Sequence, residues 1–369
     1  MATVADVVAH LDAFALPATA ADWDNVGLIL GDSKTELTRI LTCLTVTPEV
    51  VAEAVEGKVE LIVAHHPVLF KPVKKLTAAT ADGKLLLPLL RRGIAVYSPH
   101  TAFDNCAGGI NEGLAARLGL LNVRPLRPDK PAAAFKLVAF VPAGDLARVS
   151  DALFAAGAGA IGAYRECSFR TDGTGTFFGT DAANPTVGIK GRREEVLESR
   201  IEVVVPEASL SGAVAALRAA HSYEEPAFDV YPLRSLGGAT TGAGRVGDLP
   251  IEIRLVHLGE TLQRALNSKG MQVIGSRGLP VRRVAVACGA AGEYLADAIR
   301  AKADVFVTGE LRFHDGLAAQ AAGISVLLPG HYATERPGVE DLAVRLQAAF
   351  PTLHVSASAT ERDPFGVLA

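Results

Sequence analysis

The stretch VRRVAVACGAAGEYLADAIRAKADVFVTGELRFHDGLAAQAAGISVLLPGHY, residues 281–332, decides the architecture. Its apolar runs are bounded by turn residues and alternate with segments of helical pattern. That alternation implies strands buried on both faces, hence an α/β layered domain. The first part of the chain repeats it. TRILTCLTVT (38–47) and VELIVAHH (59–66) read as strands, TPEVVAEAVEGK (47–58) and GKLLLPLLRRG (83–93) as helices, and IAVYSPHTA (94–102) as a further strand.

A block of different character separates the two parts. RPLRPDKPAAA (124–134) and PLRSLGGATTGAG (232–244) are rich in Pro, Gly and small residues and read as linkers. Between them run a strand FKLVAFVP, a helix DLARVSDALFAAG, strands GAYRECSFRT (162–171) and GTFFGT (175–180), a strand RIEVVVP, a helix SLSGAVAALRAAH and a strand FDVYPL. That is a β-α-β-β/β-α-β order, the ferredoxin-like pattern with one strand more than its four. The expected organisation is an α/β host domain in two halves, 1–130 and 236–369, interrupted by an inserted α+β domain over 131–235 whose self-contained core is 135–232.

At 369 residues, with 49% hydrophobic and 21% charged residues, the chain can bury a large core and more than one folding unit is expected. The net charge of -4, without a basic run, disfavours nucleic-acid binding. The four cysteines are scattered with no CxxC pair, so neither a disulfide framework nor a thiolate zinc knuckle is suggested. MATVADVVAHLDAFALPA reads as a short amphipathic helix rather than a signal peptide, and no apolar run is long enough to span a bilayer. A cytoplasmic protein is expected. GAGAIG (157–162) matches GxGxxG but follows a helix and precedes a strand, the reverse of a dinucleotide fingerprint, and reads as a small-residue turn.

Chemistry gathers at strand ends. His65 and His66 close one apolar run directly before Pro67, and successive strand side chains point to opposite faces. Both rings reach one site only if the backbone bends there, as the proline favours. The next strand ends in SPHTAFDNC with His100 and Asp104; TGELRFHDG carries Glu310 and His314; LLPGHYATERPG places His331 and Glu335 four residues apart. On a helix that spacing puts both on one face. Each residue alone has a plain reading, as a core histidine, a helix-terminal acid or a surface histidine. Mixed imidazole and carboxylate from four strand ends of one layer is what a hydrolytic metal site needs.

WDNVGL (23–28), AHHPVLF (64–70), HTAFDN (100–105), GGINEGLAARLGL (108–120), HSYEEPAFDVYPL (221–233), VTGELRFHD (307–315) and PGHYATE (329–335) together resemble the Nif-three-like family, often labelled GTP cyclohydrolase 1 type 2 homologues. The resemblance covers essentially the whole chain, in the longer bacterial form whose insert is similar to P-II and CutA domains. It implies two divalent metal ions (zinc, iron or manganese) held by His65, His66, Asp104, His331 and Glu335, with Glu335 bridging. It implies catalytic or proton-moving roles for His100 and His314 near the ligands, and a toroidal homohexamer. The activity implied is metal-dependent hydrolysis, by the label the ring opening of GTP, a small-molecule nucleotide substrate. Arg312 and Arg336 lie beside these motifs; phosphate contact and a purely structural role are both open to them. A reading of another class is a metal-binding regulatory or scaffold protein in which HSYEEPAFDVYPL lines a pocket for a partner or small molecule, against the plainer reading of an edge strand with an acidic turn.

Overall fold

The computed structural model describes residues 1–129, 133–234 and 240–366. Its strands are β1 (Gly27–Leu30), β2 (Arg39–Cys43), β3 (Leu61–Ala64), β4 (Ala95–Ser98), β5 (Leu121–Pro128), β6 (Ala134–Pro142), β7 (Phe169–Phe178), β8 (Arg193–Pro206), β9 (Phe228–Leu233), β10 (Gly242–Arg254), β11 (Gln272–Ile274), β12 (Pro280–Ala287), β13 (Val305–Thr308), β14 (Ser325–Leu328) and β15 (His354–Ala357). The helices are α1 (Val4–Phe14), α2 (Pro48–Glu56), α3 (Ala81–Arg92), α4 (His100–Asn105), α5 (Ile110–Arg117), α6 (Leu146–Ala155), α7 (Glu207–Ala220), α8 (Leu255–Leu266), α9 (Leu295–Arg300), α10 (Phe313–Ala322) and α11 (His331–Ala349).

The chain divides into two compact units, 1–129 with 239–369, and 130–238. The first unit holds two sheets, ordered β1-β4-β3-β2-β15 and β11-β14-β13-β12-β10-β5. Their centres are parallel: β15, β2, β3 and β4 in one, β12, β13 and β14 in the other. Strands LIVA, AVYS and VFVT are buried at every position. Helices cover both faces, so an unbroken apolar run satisfies either side. Leu342 and Leu346 of α11 pack into the core of the first sheet, while its Ala333 packs into that of the second.

The second unit is one antiparallel sheet, β7-β8-β6-β9, with α6 and α7 packed on Leu137, Ala139, Ile201 and Val203. GAYRECSFRT and GTFFGT do not form two strands. Asp172–Gly173 looks like a turn in sequence, yet Gly173 stays in register opposite Glu198, and β7 runs unbroken to Phe178.

The described part of the first expected linker is also mostly strand, with 130–132 outside the described residues. Arg124–Pro128 belongs to β5, with Pro125 opposite Arg245 and Pro128 opposite Gly242 on β10. Because β5 is an edge strand, its prolines remove no ladder donor that the sheet needs. Of the second expected linker, Pro232 and Leu233 end β9, 242–244 begin β10, and 235–239 lie outside the described residues.

Candidate metal centre

β3 ends at Ala64, and the chain continues with hydrogen bonds from the His65 and His66 amides to the carbonyls of Cys43 and Leu44. His65 is 1% exposed. The His66 ring lies 5.2 Å from that of His65, its Nδ1 2.7 Å from Thr45 Oγ1 and its Nε2 3.1 Å from Glu335 Oε2. β4 runs through Ser98 into the short α4, which sets His100 and Asp104 one turn apart. Asp104 Oδ1 lies 3.6 Å from His65 Nε2. β14 ends at Leu328, Gly330 turns the chain at φ +109, and α11 opens with His331, so that His331 and Glu335 do share a helix face. His331 Nε2 lies 3.0 Å from Glu335 Oε2, without the alignment of a hydrogen bond.

Two sets of donors converge. One ligand atom each from His65, His66 and His100 lie within 4.8 Å of one another, and so do those from His66, His331 and Glu335. Asp104 adjoins the first set through His65. His100 therefore stands closer in than its expected place beside the ligands. His314 stands apart: it is exposed at the start of α10, and none of the close contacts of this cluster among the described residues involves it.

Several side chains support these donors; of them only Glu310 stands out in the sequence, and there without its role. Asp24, from the WDNVGL loop, has a buried side chain that holds His100 Nδ1 at 2.7 Å, while its other oxygen accepts from the Thr101 amide at 3.1 Å. Glu310 fixes His331 Nδ1 at 2.9 Å. The Cys288 thiol donates to Asp104 Oδ1 at 3.2 Å, and Asn111 Nδ2 donates to the Asp104 carbonyl. Such partners fix the tautomer of a ligating imidazole and aim its free nitrogen. His100 itself has φ +23, backbone strain of the kind that collects at functional positions. Gly289 (φ +65) is the other special position: a Cβ there would press into Glu335 Oε1 and sit 3.3 Å from His331 Nε2.

The donors suit a divalent cation. Both ring nitrogens of His65 are buried without a hydrogen-bond partner, a costly arrangement for polar atoms unless something else binds them. Burial also pushes the His65 ring well below its usual pKa, more than the Glu335 charge can offset, so it is held neutral with a lone pair free. Burial and then the charge of Glu335 raise Asp104 to about 7. For Glu335 burial acts upward, but contacts from His331 and His66 outweigh it and hold the carboxyl well below its usual range. Burial would lower His331; Glu335 and Glu310 instead raise it to about 9. Carboxylates crowded together and imidazoles aimed at one point are what positive charge stabilises.

A cleft of about 1220 Å³ opens beside the centre, bordered by Glu310, His331, Lys269 and Arg336. The Arg336 donors are already taken, by Glu361 at 2.6 Å, the Ser358 carbonyl at 2.8 Å and Glu340 at 3.3 Å. That is a structural role. Arg312 directly precedes α10 and is exposed.

Fold and site define a class: an α/β protein whose strand ends bring together imidazole and carboxylate groups able to hold metal ions. The chain belongs to the Duf34/NIF3 family (NGG1p interacting factor 3), whose profile matches residues 2–364. It is 37% identical to a GTP cyclohydrolase 1 type 2 homolog of Halalkalibacterium halodurans over 94% of both chains. It is 36% identical to the homolog of that name in Bacillus subtilis, covering 89% of this chain and 87% of the relative. A crystal structure of a Bacillus cereus protein related to NIF3 matches 100% of this chain and 99% of its own, at 34% identity and a TM-score of 0.76. Staphylococcus aureus protein SA1388 matches the same shares at 28% identity and a TM-score of 0.83.

Proposed function

We propose that this protein is a dinuclear metal-dependent hydrolase acting on a small, nucleotide-like molecule. The observation that carries the reading is the pair of three-donor groups sharing His66, with Asp104 and Glu335 on either side. His65, His100 and Asp104 would hold one ion, and His66, His331 and Glu335 the other, since His66 Nδ1 is taken by Thr45 and its Nε2 has one lone pair to give. Bound divalent ions would supply Lewis acidity and a water acidified towards neutral pH. The chain's own residues do the rest. Asp24 and Glu310 keep His100 and His331 aimed, and burial of His65 and Glu335 excludes bulk water from that side. The cleft beside His331 gives a substrate its approach.

The name shared by the relatives supports GTP or a related nucleotide as the first substrate to try. Fold and donor set do not fix a substrate. Zinc, iron and manganese all suit such donors. The test is elemental analysis of untagged protein, then a hydrolase substrate panel run with the metal found. Turnover lost on replacing Glu335 supports the reading; a metal-loaded protein inert across the panel counts against it.

We infer the domain organisation, assembly and compartment as well. Residues 131–235 form an inserted ferredoxin-like domain, a reading that the antiparallel order β7-β8-β6-β9 with two helices on one face supports. The assembly is a toroidal homohexamer, which light scattering at micromolar concentration reads. The compartment is the cytoplasm; among the described residues no helix is long and apolar enough to cross a membrane.

A further inference from the structure

The second unit carries a cleft of about 540 Å³, within the range of small-molecule pockets. Its floor is the face of the sheet that α6 and α7 leave open. Phe140 pairs with Arg200, Gly173 with Glu198 and Thr171 with Arg200, and paired residues project from the same side. The helices instead cover Leu137, Ala139 and Ile201. Two positions on the open face of β7 are Gly173 and Gly175, where ordinary strand residues would raise side chains into the space. Glycine within a strand marks a place where something approaches the backbone closely. Around Gly173 a Cβ would meet nothing within 4 Å; at Gly175 it would strike the Glu198 carboxylate.

The roof is pinned. Asn184 N donates to Glu224 Oε1 at 2.7 Å and Thr186 Oγ1 to the Ser222 carbonyl at 2.7 Å, tying the 179–187 loop to the HSYEEPAF turn. Phe140, Phe177, Val187 and Ala227 make the lining largely apolar. Its polar groups are incompletely matched. The Tyr223 hydroxyl oxygen is buried beside the Glu198 carboxylate, with its lone pairs unmatched. Arg200 is the cation of the lining, and it is engaged with Glu202 at 2.9 Å. That leaves Glu198, half-buried at the floor, without a cation among the described residues, while Glu224 and Glu225 add negative charge at the rim.

We propose that this cleft binds a small organic cation: an amine on a flat apolar body, its ammonium on Glu198 and its ring over Gly173. The Tyr223 hydroxyl accepts a second hydrogen bond from the same nitrogen. The charge of the lining favours a cation over an anion, and the glycine floor favours a flat body over a branched one. This site is separate from the metal centre and does not depend on the hydrolase reading.

The test is calorimetric titration of the full-length protein with tryptamine, and with indole-3-propionate as its anionic counterpart. Tryptamine should saturate one site per chain, and the propionate should bind at least roughly tenfold more weakly. Glu198→Gln should weaken tryptamine by roughly tenfold or more. Gly173→Val suits a strand and fills the floor, so it should abolish binding while metal content stays at the wild-type level. Equal binding of the two probes, no saturation by tryptamine at millimolar concentration, or unchanged binding in Gly173→Val would each overturn the proposal. A change of oligomeric mass in either variant would also overturn it, by showing that a second copy of the chain covers the cleft.

Discussion

Gly289→Ala is the substitution that isolates geometry from ligand chemistry. No donor is removed, and one methyl group is added. At φ +65 the alanine costs about 1–2 kcal/mol in backbone energy, which a chain of this size survives. The larger effect is local. The new Cβ occupies space that Glu335 Oε1 now fills and comes within 3.3 Å of His331 Nε2. Glu335 is 4% exposed and cannot swing out to water, so its carboxylate must shift by about an ångström within the cluster. Misplaced ligands and their supports typically cost 10- to 100-fold in metal affinity. The expected result is therefore a fall of at least tenfold in metal affinity, read by chelator competition, with a melting temperature lowered by only a few degrees. Wild-type affinity in Gly289→Ala would refute the placement of Glu335 at the heart of the centre.

Asp24→Asn should release His100 from its fixed orientation and weaken metal binding by about tenfold without unfolding the chain, again read by chelator competition. Metal addition to apo-protein at pH 7 should expel protons, because His331 (about 9) is then nearly fully protonated and Asp104 (about 7) about half. The sum is roughly one to two protons per chain in a weakly buffered pH-stat titration, falling towards zero above pH 10; no release at pH 7 would contradict both assignments. Joining residue 128 directly to 240 should leave the host unit folded with its metal. The Asp129 amide already bonds the Thr241 carbonyl at 3.1 Å, so the cut ends lie side by side; an insoluble or metal-free product would contradict the division.

Strands β3, β4, β13 and β14 were legible because burial on both faces leaves an unbroken apolar run that any turn residue punctuates. The donors were legible for a related reason: charged residues directly after such runs stand at the carboxyl ends of strands, where α/β folds bind ligands. β5 was not, since two prolines and three charged or polar residues in eight outweigh any pattern, and only its edge position makes them harmless. β7 was split by an Asp-Gly pair whose turn preference the long pairing with β8 overrides. Glu310 was legible after its strand, though its role was not, and Asp24 carries no periodic signal. They lie in loops, and their roles depend on which ring nitrogen they meet in space. Gly289 is likewise visible only once Glu335 is seen beside it.

The most direct test of the account is metal counted per chain by elemental analysis, in the wild type and two variants. Asp104 and Glu335 are brought to one cluster by the fold alone, and Glu335 contacts both His66 and His331. Two ions are expected in the wild type. Glu335→Ala removes the charge that offsets their mutual repulsion and should bring the count towards zero. His65→Ala, which touches only the Asp104 side, should leave an intermediate value. Full occupancy in Glu335→Ala would contradict the central claim that one carboxylate of α11 holds the metal centre together.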